Sequence, residues 1–356
     1  MSAKSQNNNF TQPAENTGVT GMPGKRVLLT GATGLLGEYI AETLLSAGYQ
    51  VTALCRPGSE ARLPAYLRSK LSIATGDISE LNTLDAAISR ADYVVHAAAL
   101  VSFIPADRKA LYAVNLEGTA NVVNVCLKYA EPEGALKKLV HISSIAALGR
   151  TKGKNIINEE SKWEASADNS IYAKTKYLAE LEVWRGFHEG LDIGILNPGM
   201  ILGPGDINGG SSALFGYAWK ERSFVTEGIA NYCDVRDVAR AVLLQLQNPE
   251  SGKRYVVNAG HTPYKSLFGE MARRFGKKPP LRVVGSTLAA IAWRMEFIRS
   301  VLTGMKPFIT RETAQSSLNT FIYEGTLIEK ELGLKYHTLA ETLDWACAEI
   351  MSKMKS

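Results

Sequence analysis

Cysteine is scarce: four in 356 residues, at Cys55, Cys126, Cys233 and Cys347. They lie far apart and show no metal-ligand spacing, which argues against a disulfide framework and a cysteine-built metal centre. They read as reduced thiols, so a cytoplasmic protein without a metal is expected. Long uncharged apolar runs are also missing. The opening M-S-A-K-S-Q-N-N-N-F has no apolar leader core. The most apolar late segment, Val283 to Leu302, contains Arg294, Glu296 and Arg299, which suits an amphipathic helix rather than a membrane span. No membrane insertion is expected. Neither sign of charge dominates: 40 Lys and Arg against 35 Asp and Glu leave +5. The basic residues are scattered, so no nucleic-acid footprint is present. Residues 1–22 are polar and rich in Asn, Gln, Thr and Gly, as in a disordered tail.

What is present is a chain large enough to bury a sizeable core, 46% hydrophobic and 21% charged. Its most informative stretch is R-V-L-L-T-G-A-T-G-L-L-G-E-Y, Arg26 to Tyr39. The apolar run Val27 to Leu29 suits a strand buried on both faces. Gly31, Gly34 and Gly37 then turn the chain into a helix. Unpaired N–H groups at such a helix start, with glycines allowing close approach, favour a bound pyrophosphate. The spacing is G-x-x-G-x-x-G, not the commoner G-x-G-x-x-G. Tight packing of the turn is the competing explanation.

Strand and helix signals alternate from there. Further strands are expected at Gln50–Leu54, Leu71–Thr75, Tyr93–His96, Leu139–Ile142, Leu191–Leu196 and Arg254–Val257. Helices are expected at Leu84–Ser89, Arg108–Tyr129, Ile171–His188 and Tyr232–Leu246. This rhythm predicts an α/β fold, a doubly wound parallel sheet (Rossmann) whose ligands sit beyond the carboxyl ends of the strands. Glycine and polar residues follow strand after strand at that edge. Residues 23–202 and 229–261 are assigned to this nucleotide-binding unit. Residues 203–228 and 262–356 are assigned to a smaller, mostly helical lobe for substrate. Leu214, Phe215, Tyr217, Trp219, Phe224, Trp293, Met295 and Phe297 supply its apolar content, as a pocket lining or, more ordinarily, as core.

Two residues carry the chemistry by spacing. Tyr172 and Lys176, in I-Y-A-K-T-K-Y, are four apart and share a helix face. A neighbouring ammonium lowers a phenol's pKa and suits it to proton transfer at a carbonyl or alcohol oxygen. A surface tyrosine beside a surface lysine is the plain alternative. Ser143 and Ser144 follow the fifth strand at the ligand edge, and either hydroxyl is a candidate to orient the same oxygen, or to cap the next segment.

Together these stretches resemble the extended short-chain dehydrogenases/reductases. The resemblance runs through T-G-A-T-G-L-L-G (Thr30–Gly37), G-D-I (Gly76–Ile78), H-A-A-A (His96–Ala99) and N-L-E-G-T-A-N (Asn115–Asn121). It continues through H-I-S-S-I-A-A-L-G (His141–Gly149), Y-A-K-T-K (Tyr172–Lys176), N-P-G-M-I-L-G-P-G (Asn197–Gly205) and D-V-R-D-V-A (Asp234–Ala239). The blocks stand in the family's order over roughly residues 25 to 260. The resemblance implies Tyr172 as general acid/base, Lys176 on the nicotinamide ribose, Ser144 as catalytic serine and Asn115 as the helix asparagine. It implies a cofactor site of Gly31, Thr33, Gly34, Leu35, Leu36 and Gly37, with Asp77 and Ile78 at the adenine. Ala97, Ala98 and Ala99 would lie beside the ribose, and Ser143, Pro198, Gly199 and Ile201 towards the nicotinamide.

Arg56 bears on cofactor choice. No carboxylate ends the second strand, and an arginine pairs with a 2′-phosphate. NADP(H) is therefore expected over NAD(H), unless Arg56 is merely solvated. Within the family, a nucleoside diphosphate is usually gripped by an arginine before the D-V-x-D-V-A block; none lies between Arg222 and Arg236. The resemblance is closer to dihydroflavonol-reductase-like and 3β-hydroxysteroid-dehydrogenase-like members. It points to a reductase of a ketone or aldehyde on an apolar small molecule. A nucleotide-sugar epimerase or dehydratase is the second reading, and a non-catalytic cofactor-binding regulator the third. The helices at Arg108–Tyr129 and Ile171–His188 resemble those through which members dimerise, so a homodimer is expected.

Overall fold

The computed structural model describes residues 21–130, 132–149, 156–166, 169–303, 310–318 and 320–355. The expected tail falls almost wholly outside them. Seven parallel strands form the central sheet: β1 (Arg26–Thr30), β2 (Gln50–Cys55), β3 (Ser72–Thr75), β4 (Tyr93–His96), β5 (Lys138–Ile142), β6 (Ile193–Pro198) and β7 (Lys253–Val257). Their order is β7-β6-β5-β4-β1-β2-β3. The order reverses between β1 and β4, which opens a crevice at their carboxyl ends.

Alternation along each strand sends side chains to two cores. Val27 and Leu29 of β1 join one, Leu28 the other. The first core is covered by α1 (Leu35–Ser46) and α5 (Val235–Gln247). The second is covered by α2 (Leu81–Ile88), α3 (Gly118–Lys128) and α4 (Ile171–His188). Both faces of the sheet are thus buried, as the near-continuous apolar strands require, except at its edge strand β3, which is largely exposed.

A third core lies between the helix Ala213–Trp219, α6 (Tyr264–Arg274) and α8 (Leu339–Lys355). Phe215 is fully buried there, and Leu214, Tyr217 and Trp219 pack against it. Those aromatics are core rather than pocket lining. Phe224 and Met295 are exposed, and Phe297 lies outside the described side chains. The helix α7 (Ser286–Thr303) follows the short strand Arg282–Val284. Among the described residues, no helix is long and apolar enough to cross a membrane.

Several element boundaries differ from the sequence reading: the helix expected at Leu84–Ser89 runs Leu81–Ile88, and three further differences have visible causes or consequences. Tyr232 to Asp234 belong to a strand, Ile229–Asp234, and the helix begins only at Val235. The cause is Asp234, whose carboxylate accepts the Arg236 N–H at 2.8 Å and caps α5. The sixth strand runs Ile193–Pro198, two residues later than expected. The long helix before β5 is interrupted: Arg108–Leu111 is α-helical, Tyr112–Glu117 a π-turn, and α3 resumes at Gly118. Hydrophobic periodicity does not register one wide turn, and such turns gather at functional sites.

Candidate active site

The glycine turn sits at the reversal in strand order. Gly31 has φ +78°, and a Cβ there would come within 2.7 Å of the Ala97–Ala98 backbone. A Cβ at Gly34, the residue before α1, would meet only the Gly31 carbonyl, at 3.5 Å. Gly31 therefore permits the turn, and Gly34 leaves the helix start open to an anion.

A cleft of about 300 Å³ opens beside it. Of the residues implicated by sequence, Gly31, Thr33, Gly34, Arg56, Asp77, Ile78, Ala97, Ala98 and Ala99 line this cleft. Ser59 and Arg62 line it too; they stand in the same loop as Arg56, whose basic content was the available signal. Asp77 accepts from Ser79 through its backbone N–H (2.8 Å) and hydroxyl (2.7 Å). Burial raises its pKa, but these bonds and the field of Arg56 outweigh it and keep the carboxyl below its ordinary value. Leu35, Leu36, Gly37, Ser143, Pro198, Gly199 and Ile201 are not part of this lining. A Cβ on Gly37 would lie 2.1 Å from the Gly31 carbonyl, so that glycine serves helix–turn packing.

Ser144 follows β5, which pairs with β4, so it stands further along the same edge. Its Oγ accepts the Ala146 N–H at 3.2 Å. Its hydroxyl also hydrogen-bonds the Tyr172 phenol in the sense that favours the phenolate. Burial is the larger effect and raises the Tyr172 pKa. The expected lowering by Lys176 is absent from the balance. Lys176 is held elsewhere: its Nζ donates to the Ile142 carbonyl at 2.8 Å and lies 3.5 Å from His141 Nε2. Burial lowers the Lys176 pKa to about 8, opposed by Glu180. Phe103 meets the Tyr172 ring edge-on, with centroids 5.8 Å apart.

Asn115 sits in the π-turn. Its side chain brackets Leu100, accepting its N–H at 2.8 Å and donating to its carbonyl at 2.9 Å, and also donates to Thr175 on α4 at 3.1 Å. The wide turn thereby ties the loop after β4 to the helix carrying Tyr172.

Beneath lies a buried polar layer that sequence reading passed over. Glu180 accepts from Ser143 Oγ (2.8 Å) and Asn197 Nδ2 (2.9 Å), and pairs with Arg254 at 2.8 Å. His96 bridges Thr30 (2.8 Å) and Thr119 (3.0 Å), with its ring 5.3 Å from that of His141. Burial holds both imidazoles neutral, His96 down to about 3 and His141 well below its usual range, each helped by the Lys176 charge. Glu180 lies one turn beyond Lys176, so its place on that face was legible from spacing.

Residues 27–260 match the NAD dependent epimerase/dehydratase family. The chain belongs to this family. Among its curated relatives is a putative dihydroflavonol 4-reductase of Synechocystis sp., 29% identical over 326 residues, covering 88% of this chain and 91% of that protein. Cinnamoyl-CoA reductase 1 of Oryza sativa subsp. japonica is 28% identical over 245 residues, covering 65% and 70%. The solved structure of gox2253 superposes with a TM-score of 0.76 at 27% identity, covering 92% of this chain and 98% of that one. This epimerase/dehydratase family member is an NAD(P)-dependent enzyme of the extended short-chain dehydrogenase/reductase type.

Proposed function

We propose that the protein is an NADP(H)-dependent reductase of a ketone or aldehyde on an apolar small molecule, with Tyr172 as general acid. The observation carrying this reading is a half-buried phenol beside the Ser144 hydroxyl, in a setting where desolvation favours its protonated form. A protonated phenol is the form that can give a proton to the oxygen of a carbonyl being reduced.

The residues present fit the cofactor: an open helix start at Gly34, an adenine edge at Asp77 and Ile78, and two arginines in the cleft. When bound, the nicotinamide supplies the hydride. Ser144 donates to the substrate oxygen and fixes its position. Tyr172 passes its phenolic proton to that oxygen. Lys176 holds an ammonium beneath the site, against the Ile142 carbonyl. Asn115 keeps the loop after β4 and α4 in register. Arg56 and Arg62 favour NADP(H), since both can pair with a 2′-phosphate and the carboxylate in the cleft, Asp77, is committed to Ser79.

The names of two relatives, both reductases, support this over a nucleotide-sugar enzyme. So does the lack of a basic residue between Arg222 and Arg236. Homodimerisation through α3 and α4 is part of the proposal, and Leu181 on α4 is exposed, as such an interface requires. The test is a substrate panel followed by NADPH absorbance, with hydrophobic ketones and aldehydes beside sugar nucleotides. Turnover of a carbonyl that Tyr172→Phe abolishes, with NADPH still bound, supports the reading. Turnover confined to sugar nucleotides refutes it.

A further inference from the structure

The helix α7 carries four large apolar side chains in the open: Leu288, Ile291, Met295 and Ile298. At 100° per residue they fall within an arc of about 80°. Met295 is 66% exposed and Leu288 59%, and the four lie together on one face rather than scattered singly. Ala289, on the opposite side, is buried. The helix therefore stands the wrong way out for a core element, with its apolar stripe towards solvent. The stripe runs for about 15 Å at 1.5 Å per residue.

Its borders are cationic. On the same projection Arg294 lies about 40° to one side of the stripe and Arg299 about 20° to the other. Arg294 is exposed, stacks on Trp293 (4.6 Å) and donates to the Ala290 carbonyl. Arg299 pairs with Glu296, the acidic residue of this helix. The segment entering α7 adds exposed Leu281 and Arg282, and Lys277 and Lys278 precede them. Nearby carboxylates are Glu221, which accepts the Lys278 N–H, and Glu227, beside Gly285. In α7 and the segment entering it, five cations stand against one carboxylate, Glu296, with Glu221, Glu227 and Glu312 on neighbouring elements.

We propose that this stripe docks the protein reversibly on a lipid surface bearing anionic headgroups. The apolar residues enter the headgroup–acyl boundary, while the flanking arginines reach back to phosphate, the arrangement of an interfacial helix. Charge complementarity selects this occupant over a second copy of the chain. In an antiparallel pair of such stripes the two Arg294 borders face each other, and the carboxylate of the helix, Glu296, is already committed to Arg299. The short helix that packs against α7 also reaches the helix of Tyr172: its Glu312 accepts the Ile171 N–H. Docking stands independently of the reaction assigned above.

The test is sedimentation of the full chain with vesicles of pure phosphatidylcholine and of equal parts phosphatidylcholine and phosphatidylglycerol. Binding is expected to the anionic vesicles, at least tenfold above neutral ones, and to fall as salt is raised. Met295→Asp and Ile291→Asp should each weaken it tenfold or more, and so should Arg294→Glu. These positions are exposed, and unchanged NADPH binding and melting temperature certify the fold; Met295→Ser serves if Met295→Asp fails that check. Equal binding to both vesicle types, no binding to either, or variants that sediment like the parent would overturn the proposal. So would a dimer in light scattering that Met295→Asp converts to monomer, because the stripe would then be a self-interface.

Discussion

Ser143 donates its hydroxyl to Glu180 inside the protein, at 2.8 Å, while Ser144, the next residue, turns its own towards the Tyr172 phenol. Extended backbone puts neighbouring side chains on opposite sides, so one serine supports the sheet and the other faces the phenol.

The two serines should therefore fail differently. Ser144→Ala is expected to lower kcat/KM by roughly 10²–10³, the usual loss for one donor to a reacting oxygen. Ser143→Ala should leave turnover largely intact and cost about 1–2 kcal/mol of stability, because a buried carboxylate loses a partner. Steady-state kinetics and denaturant midpoints on the two variants check this. The reverse pattern would transfer the substrate contact to Ser143.

Lys176 is fully buried, one turn from Glu180 and next in sequence to Thr175, the residue on α4 that Asn115 bonds. Its folded pKa, about 8, lies below the ordinary lysine value, so below pH 8 the fold carries an ammonium it solvates poorly. Between pH 8 and 10.5 the unfolded chain binds the extra proton, and stability from this group rises with pH. Lys176→Met should accordingly stabilise the protein at pH 7, by about 1–3 kcal/mol, and abolish turnover. The gain should shrink as pH rises through 8 towards 10. Melting curves at pH 7 and pH 9.5 measure it; a destabilised variant at pH 7 would show that the ammonium's bonds outweigh its burial.

Arg56 and Arg62 share the cleft with the adenine edge. If both meet a 2′-phosphate, the double replacement by alanine should weaken NADPH binding by about 10²-fold or more, since hydrogen bonds between charged groups contribute about 1.5–3 kcal/mol each. NADH affinity should change less than threefold. Fluorescence titration with both nucleotides decides it. Equal losses for the two would place the arginines on the shared pyrophosphate instead.

The sheet was legible because its central strands are apolar on both faces and each strand is followed by or ends in glycine or a polar residue. Tyr172 and Lys176 were legible because a helical repeat is simple arithmetic. The phenol's environment was not: spacing placed an ammonium on the same face, but burial in the folded chain decides the direction of the shift. The π-turn at Asn115 was hidden for a related reason, since it exists to satisfy Leu100 and Thr175, partners distant in sequence. The strand at Tyr232 was masked because its apolar residues run into α5 without a break, and only the cap at Asp234 separates them.

His96 and His141 give the acid limb of stability. Burial and the Lys176 charge depress both, His96 to about 3. The unfolded chain protonates these rings near pH 6.5, while the folded chain resists. Below pH 6.5 the unfolded state therefore binds more protons, and stability falls as pH drops, by about 1.4 kcal/mol per pH unit for each ring, until the folded pKa is reached. His96→Gln should remove one proton from that slope between pH 6 and 4. The amide retains hydrogen-bonding capacity towards Thr30 and Thr119, the two groups His96 bridges. Denaturant titrations across the range give the slope directly, and an unchanged slope in His96→Gln would mean that this ring is already protonated in the fold.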